Sequence, residues 1–222
     1  MVEETHLFIP PGARYTVFVP AAKEGRFALG SLPVYTGPMG DPNPDVRLGT
    51  VVVGPPPAGG APGPSLPGTP LPTLRGDPSV VETLLRMPIV RRRTVTFSES
   101  PDGNSFFINN QQSSLDRDDA VTQVGDVEEW TVRNVTGEHY VFHIHLTDFL
   151  VTATNGSRSD FLRVLGTINV PFASGGTPGQ VTLLVPFLRD RIAGRFVYHC
   201  HILEHEDGGM MANILVQPRS RP

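Results

Sequence analysis

Short stretches of alternating apolar and polar residues recur along the later part of the chain, separated by turns rich in glycine and proline. Successive side chains point to opposite faces of a β-strand, so this alternation predicts strands that bury one face. The predicted strands are Thr94–Phe97, Phe106–Ile108, Glu129–Asn134, Val141–His145, Phe149–Thr154, Thr167–Val170, Val181–Phe187, Phe196–Cys200 and Met211–Val216. Their spacing is typical of a Greek-key β-sandwich or barrel, with a short helix over Val80–Leu85 before it.

The chain divides into three regions by composition. Residues 1–53 offer four short strand candidates, too few for an independent sandwich, and are interpreted as the tail of another β domain; the candidates are Leu7–Ile9, Tyr15–Val19, Phe27–Leu29 and Val46–Val53. Residues 54–78 are rich in proline and glycine without an apolar period, which predicts an extended linker. Residues 79–222 are predicted to form a complete C-terminal domain, and the fold class is all-β.

Composition narrows the range of partners. Hydrophobic residues make up 39% of the 222 residues, and the net charge is −4. This balance gives no reason to expect a nucleic-acid or anionic-membrane partner, and we expect neither. No apolar run reaches the length of a membrane span, and the N-terminus does not have the pattern of a secretory signal.

The candidate chemistry lies in histidine. Six of the seven histidines fall into two clusters, which are His139, His143 and His145, and His199, His201 and His205. Imidazole is the commonest metal ligand and is largely neutral near pH 7. Such clustering is not expected of solvated surface histidines, so we interpret both clusters as metal ligands.

The second cluster surrounds Cys200, the single cysteine of the chain. On a strand over Phe196–Cys200, the Cys200 side chain points one way, and His199 and His201 point the other. A turn can then return His205 and Met210 to the cysteine side. Thiolate, imidazole and a weak thioether form the ligand set of a blue copper site, which normally contains two histidines.

Three other readings of this cluster explain less. A structural zinc site needs four strong nitrogen or sulfur ligands, and Met210 is a poor one. A zinc-protease helix needs HExxH, whereas His205-Glu206 is followed by Asp207-Gly208-Gly209. A nucleophilic cysteine with a general-base histidine is conceivable, but it leaves the other histidines unexplained.

The first cluster reads Glu138-His-Tyr-Val-Phe-His-Ile-His. His143 and His145 are two residues apart and share a strand face, a pattern that cupins and zinc enzymes also carry. A cupin would place a glutamate near Phe149. Beside the pair His199 and His201, the pattern indicates one multinuclear site lined by two neighbouring strands.

These motifs resemble those of the multicopper oxidases. The stretch HCHILEHEDGGMM resembles the C-terminal signature of that family, and FHIHLTDF resembles the matching upstream signature, with the laccase and bilirubin-oxidase branch most similar. GDVEEW, the Ile108-Asn109-Asn110 turn and LFIPPGARYTVFVP resemble further parts of the family. The resemblance implies a cupredoxin-like Greek-key domain at the C-terminus, preceded by an incomplete second cupredoxin domain.

The resemblance also implies a role for each ligand. Cys200 and His205 would hold a type 1 copper with Met210 as the axial ligand. His143 would hold the type 2 copper, and the type 3 pair would be held by His145, His199 and His201. Electrons from a small reductant would pass through Cys200 to the trinuclear cluster, where dioxygen is reduced to water. Glu206 is either the acid that feeds protons to this cluster or an ordinary surface carboxylate.

Two departures from the family pattern matter. The family motif is His-x-x-His-x-His, but the residue three before His143 is Tyr140, and His139 lies one place too early. Because a one-residue slip reverses the face, either a bulge redirects His139 to the copper or the type 1 site lacks one imidazole. We favour His139 as the ligand.

The second departure is the number of histidines. The resemblance implies eight imidazoles for the trinuclear cluster, and this chain has four at matching positions. We therefore expect a C-terminal fragment or split product, completed by an N-terminal oxidase half or another subunit. The expected activity is copper-dependent oxidation of phenolic, aromatic or metal-ion substrates by dioxygen. The rival interpretations are a copper-binding electron-transfer module and a structural domain without copper. A periplasmic or secreted parent protein is expected.

Overall fold

The computed structural model describes residues 6–17, 19, 23–55, 78–159 and 162–219. The described chain is almost entirely β-structure, which confirms the predicted all-β class. The strands are β1 Gly25–Ser31, β2 Val46–Val53, β3 Arg91–Glu99, β4 Phe106–Ile108, β5 Ala120–Gln123, β6 Val127–Asn134, β7 Tyr140–Ile144, β8 Phe149–Thr154, β9 Ser157–Arg158, β10 Val164–Leu165, β11 Thr167–Val170, β12 Gly179–Pro186, β13 Gly194–Cys200 and β14 Met211–Gln217. Two helices, α1 Pro78–Arg86 and α2 Leu203–Asp207, and a 3-10 turn at Asp190–Ile192 complete the described elements.

Two sheets form the sandwich. One has the strand order β10-β8-β12-β6-β3-β4, with β9 paired to β8, and the other has the order β11-β7-β13-β14-β5. β3 pairs with β6 in parallel, β5 pairs with β14 in parallel, and the remaining pairs are antiparallel. Strands that are neighbours in a sheet are therefore often distant in sequence.

The core lies between these two sheets. Trp130 on β6 and Tyr198 on β13 are both fully buried, and their rings meet edge to face with centroids 5.1 Å apart. Phe142 on β7 packs against both rings. Aromatic side chains each remove roughly 150–250 Å² from water, so this cluster contributes much of the force that holds the sheets together.

The first region contains less β-structure than its apolar pattern predicts. β1 and β2 form an antiparallel hairpin, close to the predicted Phe27–Leu29 and Val46–Val53. The predicted strands at Leu7–Ile9 and Tyr15–Val19 are wrong where the structure describes these residues, because residues 6–17 form no strand. Pro10 and Pro11 explain the first error, since proline has no N–H to donate to a sheet.

Most of the predicted linker over residues 54–78 lies outside the described residues, and the division into domains 1–53, 54–78 and 79–222 stays a prediction. The helix predicted at Val80–Leu85 is present as α1, which begins two residues earlier and ends one residue later. Among the described helices, none is long and apolar enough to cross a membrane.

Candidate metal centre

Strand β13 carries different chemistry on its two faces. Cys200 points into the core between the sheets, whereas His199 lies on the other face. The neighbouring strand β7 is paired so that Phe142 lies opposite Cys200 and His143 lies opposite His199. Because paired residues share a face, the sheet gathers imidazoles on its outer side and leaves the thiol on its inner side.

The inner face gathers three predicted ligands. The Cys200 Sγ lies 3.6 Å from the His205 Nδ1, and Cys200 and Met210 are fully buried. Helix α2 turns the chain back, with the Met210 amide donating to the His205 carbonyl at 2.9 Å. The Cys200 amide donates in turn to the Met210 carbonyl at 3.1 Å. We call Cys200, His205 and Met210 the cysteine site.

Burial sets the protonation of the cysteine site. Desolvation lowers the pKa of His205 to about 4, so its imidazole is neutral at pH 7. Desolvation also raises the pKa of the Cys200 thiol to about 12, so it stays protonated until a metal ion displaces the proton. A soft thiol, a neutral imidazole and a thioether in one dry pocket fit a copper ion better than magnesium or calcium.

Three further side chains surround the His205 ring. Phe106 stacks on it with centroids 4.3 Å apart, and Tyr140 meets it edge-on at 4.9 Å. The Glu138 Oε1 lies 3.2 Å from the His205 Nε2. Burial, reinforced by the Glu99 charge, raises the pKa of Glu138 to about 7. These contacts come from separate elements, and no local sequence signal points to Glu138 or Phe106.

Tyr140, and not His139, lies on the face of the cysteine site. Tyr140 is fully buried, and its hydroxyl donates to the Glu99 Oε2 at 3.1 Å. The pairing of β7 with β11 runs in register from Tyr140 to His143, so no bulge at these residues redirects the chain.

The His139 side chain has different neighbours. Its Nδ1 lies 2.5 Å from the Asn169 Nδ2, and its ring meets Phe172 edge-on at 5.0 Å. Asn169 is paired with Val141, which is on the same side of the sheet as His143. The contacts of His139 thus correct the expectation that a bulge brings it to Cys200, because the strand register places Tyr140 there instead.

The outer face gathers four imidazoles, which we call the histidine cluster: His143, His145, His199 and His201. Ligand nitrogens of His143, His145 and His199 all lie within 4.8 Å of one another. The His201 ring lies 5.3 Å from the His143 ring and 5.2 Å from the His199 ring, centroid to centroid. All four predicted ligands on this face are therefore brought together.

Hydrogen bonds orient two of these rings toward a shared space. The His143 Nδ1 donates to the Gly166 carbonyl at 2.6 Å, which leaves its Nε2 unprotonated. The His199 Nδ1 lies 2.9 Å from the Cys200 carbonyl and 3.1 Å from the Glu206 Oε2. The Nε2 atoms of His199 and His145 then face each other at 3.2 Å.

The remaining features of the cluster also suit a metal ion. Desolvation lowers the pKa of His143 to about 4 and lowers the pKa of His199, so both rings are neutral at pH 7. The His201 Nδ1 is buried and has no hydrogen-bond partner among the described residues. Neutral imidazoles that converge without hydrogen-bonding acceptors between them are the arrangement expected of metal ligands.

Comparison with known proteins decides the family. The sequence model described as multicopper oxidase matches residues 85–220, a stretch that contains both the cysteine site and the histidine cluster. The chain belongs to the multicopper oxidase family. Copper is therefore the metal that these residues fit, and the members of this family named below are oxidoreductases.

Individual multicopper oxidases support the assignment. A multicopper oxidase of Staphylococcus aureus is 33% identical over 114 residues, covering 49% of this chain and 24% of that protein. A laccase of Haloferax volcanii is 35% identical over 101 residues, covering 43% of this chain and 16% of that protein. This chain thus spans about a quarter or less of the length of these curated relatives.

Solved structures of multicopper oxidases share the fold. The Campylobacter jejuni enzyme, described as a metallo-oxidase, superposes with a TM-score of 0.61 at 25% identity, covering 89% of this chain and 42% of that chain. A variant of the Aquifex aeolicus enzyme superposes with a TM-score of 0.63 at 21% identity, over the same shares of both chains. The predicted cupredoxin-like sandwich is confirmed.

Proposed function

We propose that this chain supplies the C-terminal, copper-binding part of a laccase-like oxidase, which takes single electrons from small reductants and delivers them to dioxygen. The observation that carries the proposal is the His199-Cys200-His201 sequence at the C-terminal end of β13. The thiol belongs to the cysteine site, while the two imidazoles belong to the histidine cluster. Covalent bonds of one strand therefore connect a site for electron entry with a site for dioxygen.

Copper bound at these residues would supply a one-electron couple. The chain provides the surroundings: Cys200 and Met210 offer soft sulfur ligands, and His205 offers an imidazole, in a buried pocket. Phe106 and Tyr140 fix the plane of the His205 ring by packing against both its face and its edge. A ligand set held rigidly in this way changes little between two charge states of the metal, which favours fast electron transfer.

Glu206 is proposed to carry protons to the histidine cluster. Its carboxylate lies 3.1 Å from the His199 Nδ1, and its side chain is 26% exposed. It thus has one side toward solvent and the other toward a ring that faces the cluster. Reduction of dioxygen to water consumes protons, so a carboxylate in this position has a use that an ordinary surface carboxylate lacks.

The reductant is proposed to be a small molecule or ion with positive character. Two carboxylates lie near the outward edge of His205, with the Glu138 and Glu204 oxygens 3.2 and 3.6 Å from its Nε2. The Glu204 side chain is 65% exposed, so its charge is available to a passing donor. Metal cations suit this rim better than anionic phenolates do.

A second candidate is a copper-binding electron-transfer module without oxidase activity. It is favoured because Cys200, His205 and Met210 all lie within β13, α2 and the following turn of this chain, whereas the histidine cluster has four of the eight imidazoles of the family pattern. His145 is also exposed among the described residues, so one side of the cluster is open. An N-terminal oxidase half or another subunit is the partner proposed to supply further imidazoles there.

Oxygen uptake tests the proposal. The copper-loaded chain, and the assembly that carries it in the source cells, would be mixed with an aromatic amine under air. We expect the assembly to consume one dioxygen per about four electrons without releasing peroxide, and Cys200→Ser to abolish this uptake. Reduction of the blue copper without any oxygen uptake, in the chain and in the assembly, would instead identify an electron-transfer module.

A further inference from the structure

A tight turn in the N-terminal segment lies against the histidine cluster. The Ala13 amide donates to the Pro10 carbonyl at 3.1 Å, and Gly12 has a φ of +75°. Proline followed by a residue with positive φ is the signature of a type II turn. Pro10 is buried, so the turn is anchored to the rest of the molecule. It lies outside residues 85–220, the range matched by the family.

The contact with His201 is made by the backbone of Gly12. A Cβ atom on Gly12 would lie 2.5 Å from the His201 Cδ2, 2.6 Å from its Nε2 and 3.0 Å from its Cγ. The first two distances are shorter than any real carbon contact, so the ring or the turn would have to move. Glycine is therefore required at position 12 for two reasons. The backbone has a positive φ, and the His201 ring lies where a Cβ atom would be.

His201 depends on this contact more than its neighbours do. His143 and His199 are each oriented by a hydrogen bond from Nδ1, to the Gly166 and Cys200 carbonyls. The His201 Nδ1 has no such partner among the described residues, although its backbone amide donates to the Val141 carbonyl at 2.8 Å. The backbone at His201 is thus fixed, while the ring is held by packing.

We propose that Gly12 is a positioning residue, which sets the orientation of the His201 imidazole in the histidine cluster. The turn packs against the Cδ2–Nε2 edge of the ring from outside the cluster, while His143 and His199 lie beside the ring within it. The inference rests on the proposed function in one respect. The oriented His201 ring then binds a first-row divalent metal ion together with His143 and His199. The contact itself needs no metal.

The first test uses the metal-free protein and the NMR signals of its seven imidazole rings. Gly12→Ala is expected to shift the Cδ2–H signal of His201 and to remove its cross-peak with the residue 12 α-protons. Gly156→Ala is the matched control, since Gly156 has a φ of +78° and nothing within 4 Å of an added Cβ. Gly156→Ala introduces the same backbone strain, but the His201 signal of this variant should not shift. An unchanged His201 signal in Gly12→Ala would overturn the inference.

A double-mutant cycle covers the case in which Gly12→Ala loosens the whole segment. The loss of stability on Gly12→Ala is measured in the natural chain and in His201→Ala, where the ring is absent. We expect the loss in the His201→Ala background to fall to that of Gly156→Ala. An equal loss in both backgrounds would show that the His201 contact contributes nothing, and would overturn the inference.

Metal binding tests whether the contact between Gly12 and His201 affects the histidine cluster. A cobalt titration is expected to show weaker binding by about tenfold or more in Gly12→Ala, as is typical when a supporting contact of a ligand is lost. The blue band of copper at Cys200 should not change. Equal cobalt affinity in both proteins would overturn the inference. If neither protein binds cobalt while the NMR contact is present, the proposed function fails and the positioning contact stands.

Discussion

Tyr140 is the residue that most affects what kind of copper site Cys200 can form. It lies on the inner face of β7, edge-on to His205, where the family pattern has a second imidazole. Burial raises the pKa of its hydroxyl well above the ordinary range, and this hydroxyl donates to Glu99. A neutral phenol is a weak ligand, so the ligands proposed for the cysteine site are three: Cys200, His205 and Met210.

Tyr140→His should strengthen the cysteine site. An imidazole at this position would lie beside Cys200 and His205 and would replace a phenol that does not bind. We expect copper affinity to rise on the order of tenfold or more, about 1.4 kcal/mol, and the blue band to become more intense. Absorption titration measures both. A variant that binds copper no better than the natural chain would contradict the placement of Tyr140.

His139→Ala tests whether His139 is a ligand of the copper at Cys200. The His139 ring contacts Asn169 and Phe172, on the outer side of the sheet, so its removal should not change the blue band. Copper affinity at Cys200 is expected to stay within about twofold, whereas His205→Ala should abolish the band. Loss of the band in His139→Ala would mean that His139 is a ligand.

The protonation of Cys200 gives a second prediction at this scale. Because burial raises its pKa to about 12 and lowers that of His205 to about 4, only the thiol must lose a proton when copper binds. We expect release of about one proton per copper at about pH 8.5, measured by calorimetry in two buffers of different ionisation enthalpy. Cys200→Ser should release none. Proton-free binding to the natural chain would exclude a thiolate ligand.

Among the elements, β3 and β6 carry a buried ion pair whose removal should be costly. Glu128 is 1% exposed and accepts hydrogen bonds from the Arg93 Nε and Nη2, at 2.6 and 2.9 Å, and from the Trp130 indole at 2.8 Å. Arg93→Met would leave this carboxylate buried without its guanidinium, and should lower the free energy of unfolding by about 3–5 kcal/mol.

The neighbouring residue provides the control for this experiment. Arg92 pairs with Glu129 at 2.8 Å, but its side chain is 72% exposed. Arg92→Met should change the free energy of unfolding by less than about 1 kcal/mol when both variants are unfolded in urea. Equal effects of the two substitutions would mean that burial of Glu128 does not determine the energetics of this strand pair.

The elements that carry the sites could be predicted from sequence because their signals are local. The alternation over Phe196–Cys200 predicts β13 to within two residues of its start, and it separates Cys200 from His199 and His201 by face. β5 was not predicted, because Ala120–Gln123 is short and is held by parallel pairing with β14, far along the chain. Such pairing leaves no local pattern to recognise.

The site, too, could be predicted only where its residues follow a local sequence pattern. The histidine cluster follows from two His-x-His pairs on adjacent strands, so sequence alone indicates it. Whether Tyr140 or His139 faces Cys200 depends on the register of β7 against β11, which is a property of the pair. The contacts of Glu138 and Gly12 arise from distant segments, and so they become visible only in the folded chain.

For the whole molecule, acid should destabilise the metal-free fold. Burial lowers the pKa of His143 and His205 from 6.5 to about 4, so the unfolded chain takes up protons first. Their stabilising contribution is complete above pH 6.5 and is lost as pH falls toward 4. Glu138 acts in the opposite sense, because its pKa rises from 4.5 to about 7 and its contribution is lost as pH rises through that range.

The histidines outnumber Glu138, since burial also lowers the pKa of His139 and His199. The free energy of unfolding should therefore fall between pH 6.5 and 4, and Glu138→Gln should make this fall steeper by removing the opposing group. Urea unfolding at a series of pH values measures both effects. A protein that becomes more stable across this range on acidification would contradict the buried, neutral state of these rings.

The most direct test of the two proposed copper sites is a copper titration of the purified chain, following the cysteine–copper absorption band and counting the bound ions. Two independent sites are expected, on opposite faces of β13. A blue band should saturate at about one copper per chain and vanish in Cys200→Ser, while His143→Ala should weaken only colourless binding at the histidine cluster. A band that survives Cys200→Ser, or a natural chain that binds copper without any band, would contradict this expectation.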